Sequence, residues 1–258
     1  MKNLIYISIL VAALFWSCNS KPGARAKVPT SRINDTTETT PINGDLYGIQ
    51  SPKSQLAPGE DFYAQATQAY ESGNKQEALR LCRKSADLGF APAQFNMAIF
   101  YYNGDGVQKD LTKTVEWLEK AAPQGFLQAQ KQLAICYAQG IGTKKDAKKA
   151  AHWYEQAAKQ GDADAQYKLG TAYYQGNGVL PDYEQAVKWY EKAAAQGVPE
   201  ALNDLGLCYE NGLGVEQISP NKALGLYQKA ASMGNKIAKS NYDRLKKSME
   251  ESSVIYNM

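Results

Sequence analysis

The residues of this sequence best suited to nucleophilic or metal chemistry are four cysteines and one histidine. A structural zinc site needs four N or S donors at short spacings. His152 has no cysteine or second histidine near it, so the donors are missing. A Ser-His-Asp relay would depend on that same histidine, and no Gly-x-Ser-x-Gly string is present. The pairs Gly104/Gly106, Gly140/Gly142, Gly176/Gly178 and Gly212/Gly214 invite a phosphate-loop reading. They follow helical rather than strand patterns, and no Lys-Ser or Lys-Thr completes the loop. The carboxylate pairs Glu116/Glu119 and Asp162/Asp164 have ordinary explanations in solvation and helix capping. Nowhere do polar residues cluster as an enzyme site requires. The reading is therefore no catalytic residues, no metal and no cofactor.

The elements that would position any of these residues recur. Ala93, Ala129, Ala165 and Ala201 follow one another at intervals of 36 residues. The same step carries Tyr101, Tyr137, Tyr173 and Tyr209, the four glycine pairs, and Trp117, Trp153 and Trp189. After Val215 the frame slips by one residue and resumes at Ala223, Leu226 and Ala230. A fixed period in this range marks an array of supersecondary units, each burying its apolar face on its neighbours. His152 shares its position with Glu116 and Lys188, which places it on the surface. Cys136 and Cys208 share another position two units apart, too far for a disulfide. Cys82, Cys136 and Cys208 are therefore expected to be buried, unreactive thiols.

Within a unit, Ala, Leu or Met, Ala or Gly, and Tyr stand at relative positions 0, 4, 5 and 8. At about 100° per residue these share one helical face. Pro92 and Pro199 suit a first helical turn, where their missing N–H would be unpaired anyway. The glycine after each tyrosine suits a left-handed C-cap, and the second glycine lets the loop turn back. A second helix follows, in which the tryptophans beside small alanines are expected to interlock closely. The units run 91–126, 127–162, 163–198 and 199–235, and a shorter one of tetratricopeptide length occupies 59–90. A half unit closes the array, a capping helix and tail over 236–258. There Ala238, Tyr242, Leu245 and Met249 form an apolar stripe, and the tail from Val254 is expected to fray.

The strings AQFNMAIFYYNGDGVQKDLTKTVEWLEKAAPQG at 93–125 and AQYKLGTAYYQGNGVLPDYEQAVKWYEKAAAQG at 165–197 resemble the Sel-1-like repeat, a relative of the tetratricopeptide repeat. The resemblance covers about 62–248. It implies an all-α, right-handed superhelical solenoid of stacked helix-turn-helix repeats whose first helices line a concave, partner-binding side. Thr114 replaces the alanine found at positions 150 and 186, and Leu226 replaces the tryptophan. Cysteine-rich exported members of that group carry a cysteine pair in each repeat, and some are linked to β-lactam binding. Those pairs are absent here, and the function is not carried over.

Residues 1–17 read as an export signal: Lys2, an apolar run from Leu4 to Phe15, and a small residue, Ser17, directly before Cys18. Phe15-Trp16-Ser17-Cys18 resembles the bacterial lipobox, in which the cysteine is lipidated and becomes the mature N-terminus. Phe15 stands where leucine is usual. Residues 18–58, rich in Thr, Ser, Pro, Asn and Gly, cannot bury enough surface to offset chain entropy and read as a flexible tether. Asp35-Thr36-Thr37 resembles an O-glycosylation motif of some Gram-negative lineages, but three residues in a threonine-rich tether read as plain linker. A formal charge of +3 over 258 residues gives no support to nucleic-acid binding.

The first helices also carry positions that change from unit to unit. Three, seven and ten residues beyond Pro92 and its equivalents lie Phe95, Ile99 and Tyr102; Lys131 and Ile135; Tyr167, Thr171 and Tyr174; and Asn203 and Glu210. Variation on a fixed frame suits recognition, so these ten are the expected partner-binding residues. The expected function is a non-enzymatic interaction scaffold, lipid-anchored through Cys18 to a bacterial membrane, the outer one by expectation. It would bind a protein or peptide of the cell envelope. Two alternatives are an enzyme or binding protein acting on peptidoglycan fragments or β-lactams, and an assembly chaperone for envelope proteins.

Overall fold

The computed structural model describes residues 57–256, and those from Pro58 onward form one unit. Among the described residues there are only helices, turns and loops. The helices pair into five antiparallel hairpins: α1 (Glu60–Glu71) with α2 (Lys75–Asp87), α3 (Ala91–Asn103) with α4 (Leu111–Ala121), and α5 (Leu127–Gln139) with α6 (Ala147–Lys159). They continue with α7 (Ala163–Gln175) and α8 (Tyr183–Ala195), then α9 (Pro199–Asn211) and α10 (Pro220–Ser232). A last helix, α11 (Lys236–Tyr256), packs on α10. Each hairpin stacks on the next, the second helix of one against the first helix of its successor. The architecture is the all-α solenoid expected.

Local chemistry sets the boundaries of these helices. Asp110, Asp146 and Asp182 cap α4, α6 and α8, each carboxylate accepting a backbone N–H three residues on at 2.9–3.0 Å. Such caps satisfy donors that the helix itself leaves unpaired. Ser219 takes the same role for α10, 37 residues after Asp182, which places the one-residue slip in the loop before it. At the other end, Gly104, Gly140, Gly176 and Gly212 close the first helices with φ between 68° and 83°. The second glycine of each pair does more than turn the loop. A Cβ on Gly142 would collide with the Leu111 carbonyl of the preceding unit, and one on Gly178 with that of Ala147. These positions are contacts between units as much as turns.

The core runs along the array as columns of small residues. Ala93, Ala129, Ala165 and Ala201 are 0–1 % exposed, and Met97, Leu133, Leu169 and Leu205 are buried beside them. Thr114 and Leu226 are accommodated, Thr114 donating its hydroxyl to the Asp110 carbonyl at 2.9 Å. The tryptophans correct one expectation. Trp117 is buried, but Trp153 and Trp189 are only half-buried; the enclosed side chain is Tyr190 one position after Trp189, and Tyr227 one position after Leu226. Tyr190 and Tyr227 are fully enclosed where the facing first-helix residue is Gly170 or Gly206. A Cβ there would lie 2.7 or 2.6 Å from the ring. Opposite Leu118 and Tyr154 the column is alanine.

A second repeated device runs through the interior. Gln94, Gln130 and Gln166 are buried and donate to the carbonyls of Ala86, Ala122 and Ala158 at 3.1–3.2 Å. Each accepts in turn from a glutamine closing the next second helix, Gln124, Gln160 or Gln196, at 2.7–2.8 Å. In the last full unit Leu202 and Met233 stand in these two places. The capping stripe of α11 lies as expected, with Ala238 and Leu245 buried and Tyr242 and Met249 packed on the cluster that holds Leu245. The helix itself continues through Tyr256, beyond the point where fraying was expected.

Candidate functional site

Ten first-helix residues were expected to face a partner, and the structure divides them. Phe95 and Ile99 are 3 % and 6 % exposed, and Asn203 is 5 % exposed. This corrects the expectation for these three: they lie within the array. The reason is a pairing across the seam between units. The residue before a first helix covers a residue in the opening turns of the first helix of the unit before it. Phe90 meets Tyr63 with ring centroids 5.2 Å apart, and Phe126 meets Phe95 at 5.3 Å. One unit later the same places hold Asp162 and Lys131, which form an ion pair at 2.7 Å, with Asp164 3.5 Å from the same ammonium. The column varies because each member is matched to its neighbour, apolar with apolar and cation with anion. Asn203 is held differently, donating to Asp204 at 3.0 Å and accepting from Asn241 of α11 at 2.9 Å.

The remaining positions keep part of their surface: Tyr102, Ile135, Tyr167, Thr171, Tyr174 and Glu210 are half-buried. Lys109 lies 5.3 Å from the Tyr102 ring centroid. Glu210 accepts both guanidinium nitrogens of Arg244 at 2.7 and 2.8 Å, and the Tyr227 hydroxyl at 2.7 Å. The hydrogen bonds from Arg244 hold its carboxyl below the usual carboxylate range. The bidentate pair joins α11 to α9.

A position that the sequence reading passed over completes this face. Four residues beyond Pro92 and its equivalents stand Asn96, Gln132, Lys168 and Asp204. Asp204 accepts the Tyr167 hydroxyl at 3.1 Å, and burial raises its carboxyl above the usual range. Burial, with Asp204 close by, pushes the Tyr167 phenol up to about 12. No ion pair includes Asp204 among the described residues. The signal was available as one more variable column at the common period.

Seen against known families, these hairpins have a clear place. The Sel1 repeat model matches residues 56–90, 91–126, 127–162, 163–198 and 199–235. The chain belongs to the Sel1 repeat family. The Sel1 match takes in 56–90, the unit whose spacing reads as tetratricopeptide length. Among solved Sel1 structures, the chain is similar to c5321, described as a protective antigen present in uropathogenic Escherichia coli strains and displaying an SLR fold. Identity is 34 % and the TM-score 0.63, over 72 % of this chain and 40 % of that one. A Sel1 repeat protein from Oxalobacter formigenes is 33 % identical with a TM-score of 0.62, over 74 % of this chain and 79 % of that one. The chain thus spans well under half of the Escherichia coli protein. No curated protein matches.

Sel1 repeats build interaction scaffolds, and the chemistry-bearing residues here sit accordingly. Cys82, Cys136 and Cys208 are buried and unpaired, and burial pushes their thiols up to about 12, 11 and 12. A thiol so far from ionisation is a poor nucleophile. His152 is exposed, with its ring 5.0 Å from that of Trp153. Asp162 caps α7 through the Ala165 N–H. No group of three His, Cys, Asp or Glu residues among the described ones is placed to hold a metal. Nor is any described helix long and apolar enough to cross a membrane. Cys18, the export signal and the tether up to residue 56 lie outside the described residues.

Proposed function

We propose that this protein is a non-enzymatic scaffold of the bacterial cell envelope, anchored through lipid on Cys18, that holds a protein or peptide along the concave side of its first helices. One observation carries the reading. Once the seam pairs are set aside, half-buried side chains that differ from unit to unit still line the first helices on a common frame: Tyr102, Ile135, Thr171, Tyr174 and Asp204. The core columns already account for stability, so this variation is free to serve recognition. Tyrosine-rich faces supply large, partly polar contact area, the residue type enriched at binding hot spots. A solenoid lets several weak contacts add along one extended ligand.

The test is in-cell crosslinking with the double change Tyr102→Ala and Tyr174→Ala. The variant should keep its helical circular dichroism and lose the captured partner, while His152→Ala keeps both. A folded double variant that retains its partner moves recognition off this face. The anchor is tested separately by fatty-acid labelling, which should mark the wild type and not Cys18→Ala.

A further inference from the structure

We infer that Tyr167, Tyr174 and Asp204 form a subsite for one cationic side chain, lysine or arginine, of an extended peptide, with Tyr183 and Leu180 taking the apolar residue beside it. The inference rests on the reading of the first helices as the binding side, and names the chemistry of one stretch of it.

The carboxylate is the starting point. Asp204 is half-buried on α9 and accepts from Tyr167 on α7 and from its neighbour Asn203, yet no lysine or arginine pairs with it. Elsewhere in the array carboxylates between units have found cations: Asp162 has Lys131, and Glu210 has Arg244. Asp204 instead has neutral donors, which hold it in place while leaving its charge uncompensated. A partly desolvated carboxylate interacts with an incoming cation more strongly than one in open water.

The neighbours of Asp204 are rings. Tyr167 touches it directly, and Tyr174 packs against the same buried cluster as Tyr167, where burial raises its phenol pKa. Ring faces attract ammonium and guanidinium groups, most of all where water is partly excluded. Lys168 Nζ already stands 5.6 Å from the Tyr167 centroid, so this ring tolerates a cation on its face. Beyond Tyr174 the surface turns apolar. Tyr183 meets Tyr174 edge-on with centroids 5.3 Å apart, and three residues earlier Leu180 is 86 % exposed. Tyr183 is itself 42 % exposed. A carboxylate held by Tyr167, with the exposed apolar residues Tyr183 and Leu180 on the chain just beyond Tyr174, matches a peptide in which a basic residue precedes an apolar one. An acidic or neutral polar residue in that place would meet an uncompensated negative charge.

The experiment uses the full chain and three blocked hexapeptides, followed by NMR shift titration. The first carries an arginine-leucine pair among glycine and serine, the second glutamine in place of arginine, and the third alanine in place of leucine. The wild type should bind the first at least about tenfold more tightly than the second, a difference of about 1.4 kcal/mol. Asp204→Asn should erase that preference while the glutamine peptide binds as before. This variant should fold, since asparagine retains one acceptor and the Tyr167 hydroxyl can reverse to accept from the amide. Leu180→Gln, at a site too exposed to support the fold, should reduce the preference for leucine over alanine. Equal binding of the arginine and glutamine peptides by the wild type, including no binding of either, overturns the subsite. So does a folded Asp204→Asn protein that keeps the preference. Either result, beside loss of the crosslinked partner from the Tyr102/Tyr174 double variant, leaves the binding side intact and removes only the cationic subsite.

Discussion

Exchanging alanine for glycine in one first-helix column changes what the opposite helix can bury. Where Gly170 and Gly206 stand, Tyr190 and Tyr227 lie fully enclosed, and where Ala134 stands, Tyr154 keeps some exposure. The methyl group and the ring compete for one volume, and close-packed interiors register a single methylene. Tryptophan is the larger side chain, but Trp153 keeps one flank in water, so its deletion removes less buried area. Tyr190→Ala should therefore cost about 3–5 kcal/mol, the range for a large buried aromatic. Trp153→Ala should cost clearly less. Chemical denaturation of both variants decides the order, and a costlier Trp153→Ala would mean that the tryptophans carry the core after all.

Between hairpins, the glutamine ladder joins each first helix to the ends of two second helices. Gln166 donates to the Ala158 carbonyl and accepts from Gln196, which also donates to the Gly161 carbonyl at 2.9 Å. Truncating Gln196, which is exposed, strands the buried amide oxygen of Gln166, at roughly 1–3 kcal/mol. The last unit shows the alternative, Leu202 with Met233, in which both places are apolar. Gln166→Leu and Gln196→Met should each destabilise, and the double change should cost less than the sum of the two by at least about 0.5 kcal/mol, as residues in direct contact do. Additive losses in a double-mutant cycle would show that the two amides act independently.

Across the whole array, stability is a sum of unit terms and nearest-neighbour terms, and the second loop glycine belongs to the latter. Gly125 and Gly142 both have left-handed backbones, with φ of 83° and 67°. A Cβ on Gly125 meets nothing within 4 Å, whereas one on Gly142 strikes the Leu111 carbonyl of the preceding unit. Gly125→Ala should cost the roughly 1–2 kcal/mol of left-handed strain. Gly142→Ala should cost more, and its excess should appear as separate unfolding of the units on either side. Hydrogen exchange reads this directly: two blocks of protection divided between α4 and α5 are expected, with one cooperative block for Gly125→Ala. Equal costs and a single block would confine Gly142 to the role of a turn.

The sequence alone determined the hairpins and their stacking. Each depends on local chemistry repeated at a fixed interval: capping aspartates, left-handed glycines, and alanines sharing one helical face. A signal repeated four times needs no knowledge of what lies opposite. Tertiary structure decided what each variable residue meets. Phe95 and Lys131 read as two faces of a recognition surface, yet Phe126 and Asp162, 31 residues further on in each case, turn that column into a seam. Such compensation is invisible along the chain, because neither partner's type predicts contact until the rise of one unit onto the next is known. The same holds for Asp204: its type is ordinary, and only the arrival of Tyr167 from the preceding unit makes it a half-buried carboxylate held by neutral donors.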